Sequence, residues 1–115
     1  MKICLTGATG FVGKALIKNL LSECYKIKAF VRQSSKILPS AVEQVIVGDL
    51  TDLKLNNPCD LFTDNLKDVE VIVHTAARVH IMNDTPNSLN KFRKINRDAT
   101  MVIAGLAAKA GVKRF

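Results

Sequence analysis

The feature that most constrains this chain is a turn of evenly spaced glycines lying between two apolar segments close to the first residue. Thr6-Gly7-Ala8-Thr9-Gly10-Phe11-Val12-Gly13 follows the short run Ile3-Cys4-Leu5 and precedes a pattern of helical period. The run reads as a strand, and the pattern sets Val12, Ala15, Leu16, Asn19 and Leu20 on one helical face. A glycine turn in that setting is the opening unit of a parallel α/β sheet. Gly7 supplies the backbone angles for a tight exit from the strand. Gly10 has no side chain, so a phosphate can come up against the backbone, and Gly13 lets the helix lie near the sheet. The amides near Phe11 and Val12 then aim the positive end of the helix dipole at an anion. Gly7, Thr9, Gly10, Phe11, Val12 and Gly13 are therefore the candidate cradle for a dinucleotide pyrophosphate. A plain β–α turn would show similar glycines; the flanking strand and helix favour the cradle.

The rest of the chain repeats the alternation. Tyr25 to Val31 reads as a second strand, and Arg32 stands at its end. An acidic residue in that place, about 20 residues past the glycines, would bond a ribose hydroxyl. An arginine instead suits a ribose 2′-phosphate, which it can grip through two parallel bonds. The alternative is a solvated loop arginine. Gln44 to Val47 reads as a third strand ending in Gly48-Asp49-Leu50. Asp49, with Leu50 beside it, falls at the carboxyl edge of the sheet, where it can accept from an adenine amino group or cap a turn.

Asn57-Pro58 starts a helix to about Leu66, with Leu61, Phe62 and Leu66 buried. Val69 to Thr75 is the fourth strand, and its nearly unbroken apolar centre marks a strand covered on both faces. It leads into Ala76-Ala77-Arg78, whose small residues allow close approach of a ribose or nicotinamide. His74 reads as a packed, hydrogen-bonded histidine, whereas His80 lies in the following loop and can face a substrate. A last helix runs from Thr85-Pro86 to Ala110, with Leu89, Phe92, Ala99, Val102, Ile103, Leu106 and Ala110 as its apolar stripe and Gly111 as its stop. Asn96 lies on or beside that stripe, where a polar group needs a partner. The predicted class is α/β, a Rossmann-like parallel sheet of order 3-2-1-4 with flanking helices, truncated before a fifth strand.

Composition narrows the function. The chain has 115 residues, enough for one domain, and 48% apolar content supports a core. No apolar run reaches the roughly 18 residues of a membrane helix, and no signal peptide opens the chain, so a cytoplasmic location is expected. Cys4, Cys24 and Cys59 lack metal-like spacing and read as reduced thiols, mostly packed as small hydrophobes; no metal site is expected. The net charge of +7 is spread along the chain, with small clusters at Lys91-Arg93-Lys94 and Lys113-Arg114. With few aromatics to stack bases, this fits a phosphorylated small ligand better than nucleic acid.

On these residues the chain resembles the extended short-chain dehydrogenase/reductase family, in its branch of NAD(P)-dependent nucleotide-sugar epimerases and dehydratases. The resemblance rests on Thr6 to Gly13, Gly48-Asp49-Leu50, His74-Thr75-Ala76-Ala77-Arg78-Val79-His80, Asn96 through Thr100, and Ala110 to Phe115. It implies NADP or NAD as cofactor, adenine contact by Asp49, nicotinamide-ribose contact by Ala76, Ala77 and Arg78, and a supporting role for Asn96. Asp98-Ala99 departs from the family's glycine before Thr100, and Arg32 departs from strict NAD users. In the family, Val112 to Phe115 begins a fifth strand ending in a catalytic serine, followed by Tyr-x-x-x-Lys and a sugar-nucleotide domain. The single tyrosine here is Tyr25, without a lysine at that spacing. Residues 1–115 are thus expected to be a partial NAD(P)-binding Rossmann domain without the catalytic and substrate portion. Such a chain binds cofactor and turns nothing over. A non-catalytic NAD(P)-sensing module is the alternative. An uncovered fourth-strand edge, or the last helix, would favour self-association.

Overall fold

The computed structural model describes residues 1–56, 60–77 and 87–115. Strands β1 (Lys2–Thr6), β2 (Lys26–Val31), β3 (Glu43–Ile46) and β4 (Val71–His74) form one parallel sheet in the order β3-β2-β1-β4. In register, Ile3 lies beside Ile27 on one side and Val71 on the other, so the first strand in the chain is central. Helix α1 (Phe11–Ser22) covers one face of the sheet; α2 (Asp60–Asp64) and α4 (Ala99–Ala110) cover the other.

Period-two alternation explains the two layers. Ile27, Ala29 and Val31 of β2 join Leu5, Ala8 and Ile17 in the core beneath α1. Phe30 and Cys4 point the opposite way, into a core with Phe62, Leu66, Ile72, Ile103 and Leu106. There the rings of Phe30 and Phe62 meet edge-on, 4.7 Å between centroids. Burial on both faces is what lets the strands be nearly all apolar.

Several boundaries and faces differ from expectation. β2 starts at Lys26, β3 covers Glu43–Ile46, and β4 is shorter than Val69 to Thr75. The buried face of α1 is Gly13 and Ile17, with Leu16, Leu20 and Leu21 half-buried, while Val12 and Ala15 are exposed. The glycine turn sets the helix rotation by bringing Gly13 onto Gly7, which overrides the stripe that periodicity favours. The expected last helix contains α3 (Ser88–Arg93), a wide π-turn (Lys94–Asp98) and α4, and Leu89 is exposed. Gly111 does end it, in the left-handed conformation at φ 82°. Cys4 is packed in the core, and Cys24 is exposed. The expected starts at Asn57-Pro58 and Thr85-Pro86, and Cys59, lie outside the described residues.

The outer edge of β4 is not bare. The Ile72 N–H donates to the Arg114 carbonyl at 2.9 Å, and the Lys113 and Arg114 N–H groups both reach the Glu70 carbonyl. Residues 113–114 thus take up the first part of the edge that was expected to lie open. No described helix is long and apolar enough to cross a membrane.

Candidate functional site

The carboxyl ends of β1, β2 and β4 open into a cleft of about 1080 Å³. That exceeds the roughly 300–1,000 Å³ of ordinary small-molecule pockets and suits an extended ligand. Its position outside the strand ends, where the chain crosses from one side of β1 to the other, is where ligands of doubly wound sheets bind.

Gly7, Ala8, Thr9 and Gly10 form one wall. Gly7 sits at φ 70°, and a Cβ there would stand 2.6 Å from the Ala76 nitrogen and from Thr75 Oγ1. It is therefore fixed twice, by its backbone conformation and by the close approach of the β4 end. The Gly10 N–H donates to the Gly7 carbonyl at 3.1 Å and closes the turn. A Cβ on Gly10 would meet only that carbonyl, at 3.3 Å, and otherwise project into space that the fold leaves empty. The protein's own packing thus restricts a side chain here only at the Gly7 carbonyl. Gly13 differs again. It is buried outside the cleft lining, and a Cβ there would overlap the Gly7 carbonyl. Its role is to seat α1 on the turn, not directly on the sheet. Phe11 (90% exposed) and Val12 (61%) turn their side chains to the surface, and neither residue lines the cleft.

Arg32 lines the cleft at the end of β2, followed by Gln33, Ser34 and Ser35. Two bonds hold this loop: the Ser35 N–H donates to Gln44 Oε1, and Gln44 Nε2 donates to the Ser35 carbonyl, both at 2.8 Å. Among the described residues Arg32 makes no ion pair. Asp49 and Leu50 also line the cleft. Asp49 caps the 3-10 turn Leu50–Asp52, its Oδ1 accepting from the Thr51 N–H at 2.9 Å and the Thr51 hydroxyl at 2.8 Å. Those two bonds, with smaller contributions from Arg32 and Lys94, hold its carboxyl below the usual carboxylate range. Of the two readings of Asp49, the cap is therefore realised, and the residue still faces the cleft.

Ala76 and Ala77 line the opposite wall; Arg78 and His80 lie outside the described residues. Among the lining residues not singled out from the sequence as site residues are Lys91, Lys94 and Ile95. The Lys91-Arg93-Lys94 cluster hinted at them, but only the π-turn decides that Lys94 and Ile95 reach the cleft. Such wide turns recur at functional sites. Lys91, Lys94 and Arg32 outnumber Asp49 in the lining, so the cleft favours anions. Asn96 and Arg97 are exposed on the same turn. His74 is packed as expected, with ring nitrogens against the hydroxyls of Thr6 (2.6 Å) and Thr100 (3.0 Å). No cluster of potential metal ligands occurs among the described residues.

A parallel sheet of this order, with a glycine turn feeding a helix at the mouth of a cleft, defines a Rossmann-like nucleotide-binding domain. Residues 3–115 match the NAD dependent epimerase/dehydratase family, and the chain belongs to it. The UDP-glucose 4-epimerase of Vibrio cholerae is 36% identical over 115 residues, covering 98% of this chain and 33% of that protein. The sterol demethylase protein B of Methylococcus capsulatus is 33% identical, again with 33% of its length covered. The chain thus spans about a third of the relatives it matches. Among solved structures, MoeE5 in complex with UDP-glucuronic acid and NAD superposes with a TM-score of 0.70 at 26% identity, over 97% of this chain and 34% of that one. Yeast methylglyoxal/isovaleraldehyde reductase Gre2, complexed with NADPH, gives 0.74 at 20% identity over 96% of this chain and 33% of that one, a likeness of fold.

Proposed function

We propose that residues 1–115 are the cofactor-holding part of an NAD(P)-dependent epimerase or dehydratase acting on a nucleotide sugar. The observation that carries this is the open space beside Gly10, where a Cβ would crowd only the Gly7 carbonyl at 3.3 Å and otherwise enter the cleft. Family membership supports the reading, as do relatives whose names include UDP-glucose 4-epimerase and structures that hold NAD with UDP-sugars.

In this reading the turn from Gly7 to Gly10 and the first amides of α1, at Phe11 and Val12, hold the pyrophosphate. Gly13 keeps the helix seated so that those amides stay aimed. Asp49 and Leu50 flank the adenine, Ala76 and Ala77 leave room for the nicotinamide ribose, and Arg78 is assigned a contact to that ribose from the family resemblance. Arg32 receives a ribose 2′-phosphate, with Lys94 facing the same space, which favours NADP over NAD. When bound, the nicotinamide supplies hydride transfer to and from a sugar carbon. The residues of this chain bind and orient; Asn96 supports at most.

Tyr25, the single tyrosine, lies just before β2 at the far end of the sheet, so no tyrosine of these residues serves as acid or base at the cleft. That observation keeps a second reading in play, a dinucleotide-sensing module without chemistry. A serine-ended strand and Tyr-x-x-x-Lys in the natural polypeptide would decide for the enzyme. A cytoplasmic setting, with Cys4 and Cys24 reduced, belongs to either reading. Self-association would run through the rest of the β4 edge or the exposed Met101 of α4, and a monomer by light scattering at high concentration would exclude it. The direct test of the cofactor reading is calorimetric titration of NADP and NAD into the wild-type chain. Saturable binding with tighter NADP is expected; no heat with either would overturn it.

A further inference from the structure

His74 touches none of the groups assigned above to the cofactor, yet it stands between two walls of the cleft. Thr6 Oγ1, beside its Nδ1, also accepts the Ala76 N–H at 3.4 Å. Thr100 Oγ1, beside its Nε2, donates to the Asn96 carbonyl at 3.1 Å. These bonds have one consistent direction. A hydroxyl has a single hydrogen to give. Thr100 gives its hydrogen to Asn96, so it must accept from the ring, and the ring hydrogen is on Nε2. The bare Nδ1 then takes the hydrogen of Thr6, which is fully buried and has no other acceptor in reach among the described residues. Hydrogens run from Ala76 to Thr6, to His74, to Thr100, and end on Asn96.

We propose that His74 is a positioning residue that ties Ala76, at the end of β4, to the π-turn presenting Lys94 and Ile95, and that it does so only as the neutral tautomer with hydrogen on Nε2. What the cleft holds rests on the cofactor reading above; the tautomer does not. Protonation sets an Nδ1 hydrogen against the Thr6 hydroxyl hydrogen, and one of the two must turn away into a buried site without an acceptor. Burial lowers the His74 pKa, so the tie is intact at neutral pH and opens on acidification. The ring is faced by Thr6 from β1, Thr100 from α4 and the stacked ring of Phe115, centroids 5.9 Å apart, and none of these titrates. No charged group among the described residues contributes to the shift.

The experiment combines imidazole 15N NMR with NADP titration across the pH range, in His80→Gln protein so that His74 is the one histidine reporting. The expected result at pH 7.5 is hydrogen on Nε2. Affinity for NADP should fall about tenfold as His74 protonates, with the Ala76 amide resonance moving at the same pH. Thr100→Val should show both changes at pH 7.5, a mixed tautomer and weakened binding, and Thr100→Ser should restore the wild-type values. Hydrogen on Nδ1 would overturn the proposal whatever the binding. So would an affinity that stays level through the His74 titration. If no dinucleotide binds at any pH, the cofactor reading falls instead, and the Ala76 amide alone decides: it follows the His74 titration if the tie exists and ignores it if not.

Discussion

The two ends of the sheet use the same kind of residue to opposite ends. At the amino ends of the strands, Lys28 is buried in the sheet with 3% of its side chain exposed. Its Nζ donates to Asp68 Oδ1 at 2.6 Å and to the Asn65 carbonyl at 2.9 Å. Lys2 takes the other Asp68 oxygen at 2.5 Å and lies 3.6 Å from Glu43. At the carboxyl ends, Arg32, Lys91 and Lys94 face a cleft and form no ion pair among the described residues. A cation with its carboxylate already in place is committed to the fold. One without a carboxylate is available to an anion from solution.

The contrast can be broken most strongly at the cleft. Gly10→Val should weaken NADP binding about 100-fold, roughly 2.7 kcal/mol, while the melting temperature falls far less than for a core change, because the added Cβ crowds only the Gly7 carbonyl at 3.3 Å. An unchanged Kd by calorimetry would remove the glycine turn from the site. The converse change is Asp68→Ala, which strands Lys28. Breaking a fully buried pair costs roughly 3–5 kcal/mol; with Asp68 half exposed, about 2 kcal/mol by urea unfolding is expected. Cofactor affinity of the folded protein should not move.

Acid titration sharpens the same point. The bonds to Lys2 and Lys28 hold Asp68 down at about 2, against an ordinary 3.8. The unfolded chain therefore takes up that proton first, and the stability Asp68 contributes is present above pH 3.8 and lost as pH falls toward 2. Asp68→Asn should remove that share of the acid slope. For the cleft cations, Arg32→Ala should cost NADP about tenfold, roughly 1.4 kcal/mol, and leave NAD unchanged; equal losses would mean that Arg32 does not read the 2′-phosphate. The smallest effect is at Gly48. A Cβ there meets nothing within 4 Å, so Gly48→Ala carries only the strain of φ 77°, about 1 kcal/mol in thermal unfolding.

What could be read from the sequence divides along the same line. The sheet order, the glycine turn and the stop at Gly111 follow from local signals, alternation and backbone permissiveness, that need no knowledge of distant partners. The buried state of Lys28 does not, since Asp68 stands 40 residues away. The face of α1 was misplaced because Val12 is apolar and in period, yet the seating of Gly13 on Gly7 rotates it outward to 61% exposure. Lys94 and Ile95 escaped for a related reason. The stripe from Leu89 to Ala110 assumes an unbroken 3.6-residue period, and the π-turn at Lys94–Asp98 departs from it. In the cleft lining, the small residues of the glycine turn and the β4 end were legible, and those aimed by a helix irregularity were not.

The central place of β1 has a consequence for the order of events on the ribosome. Thr6 and His74, neighbours in the finished sheet, are 68 residues apart in the chain. At roughly 5–20 residues per second, synthesis leaves one side of the first strand without its partner for several seconds. During that interval β1, α1 and β2 can close only the half of the layer beneath α1. The nascent chain thus carries an apolar strand edge that its own later residues must reach before another chain does.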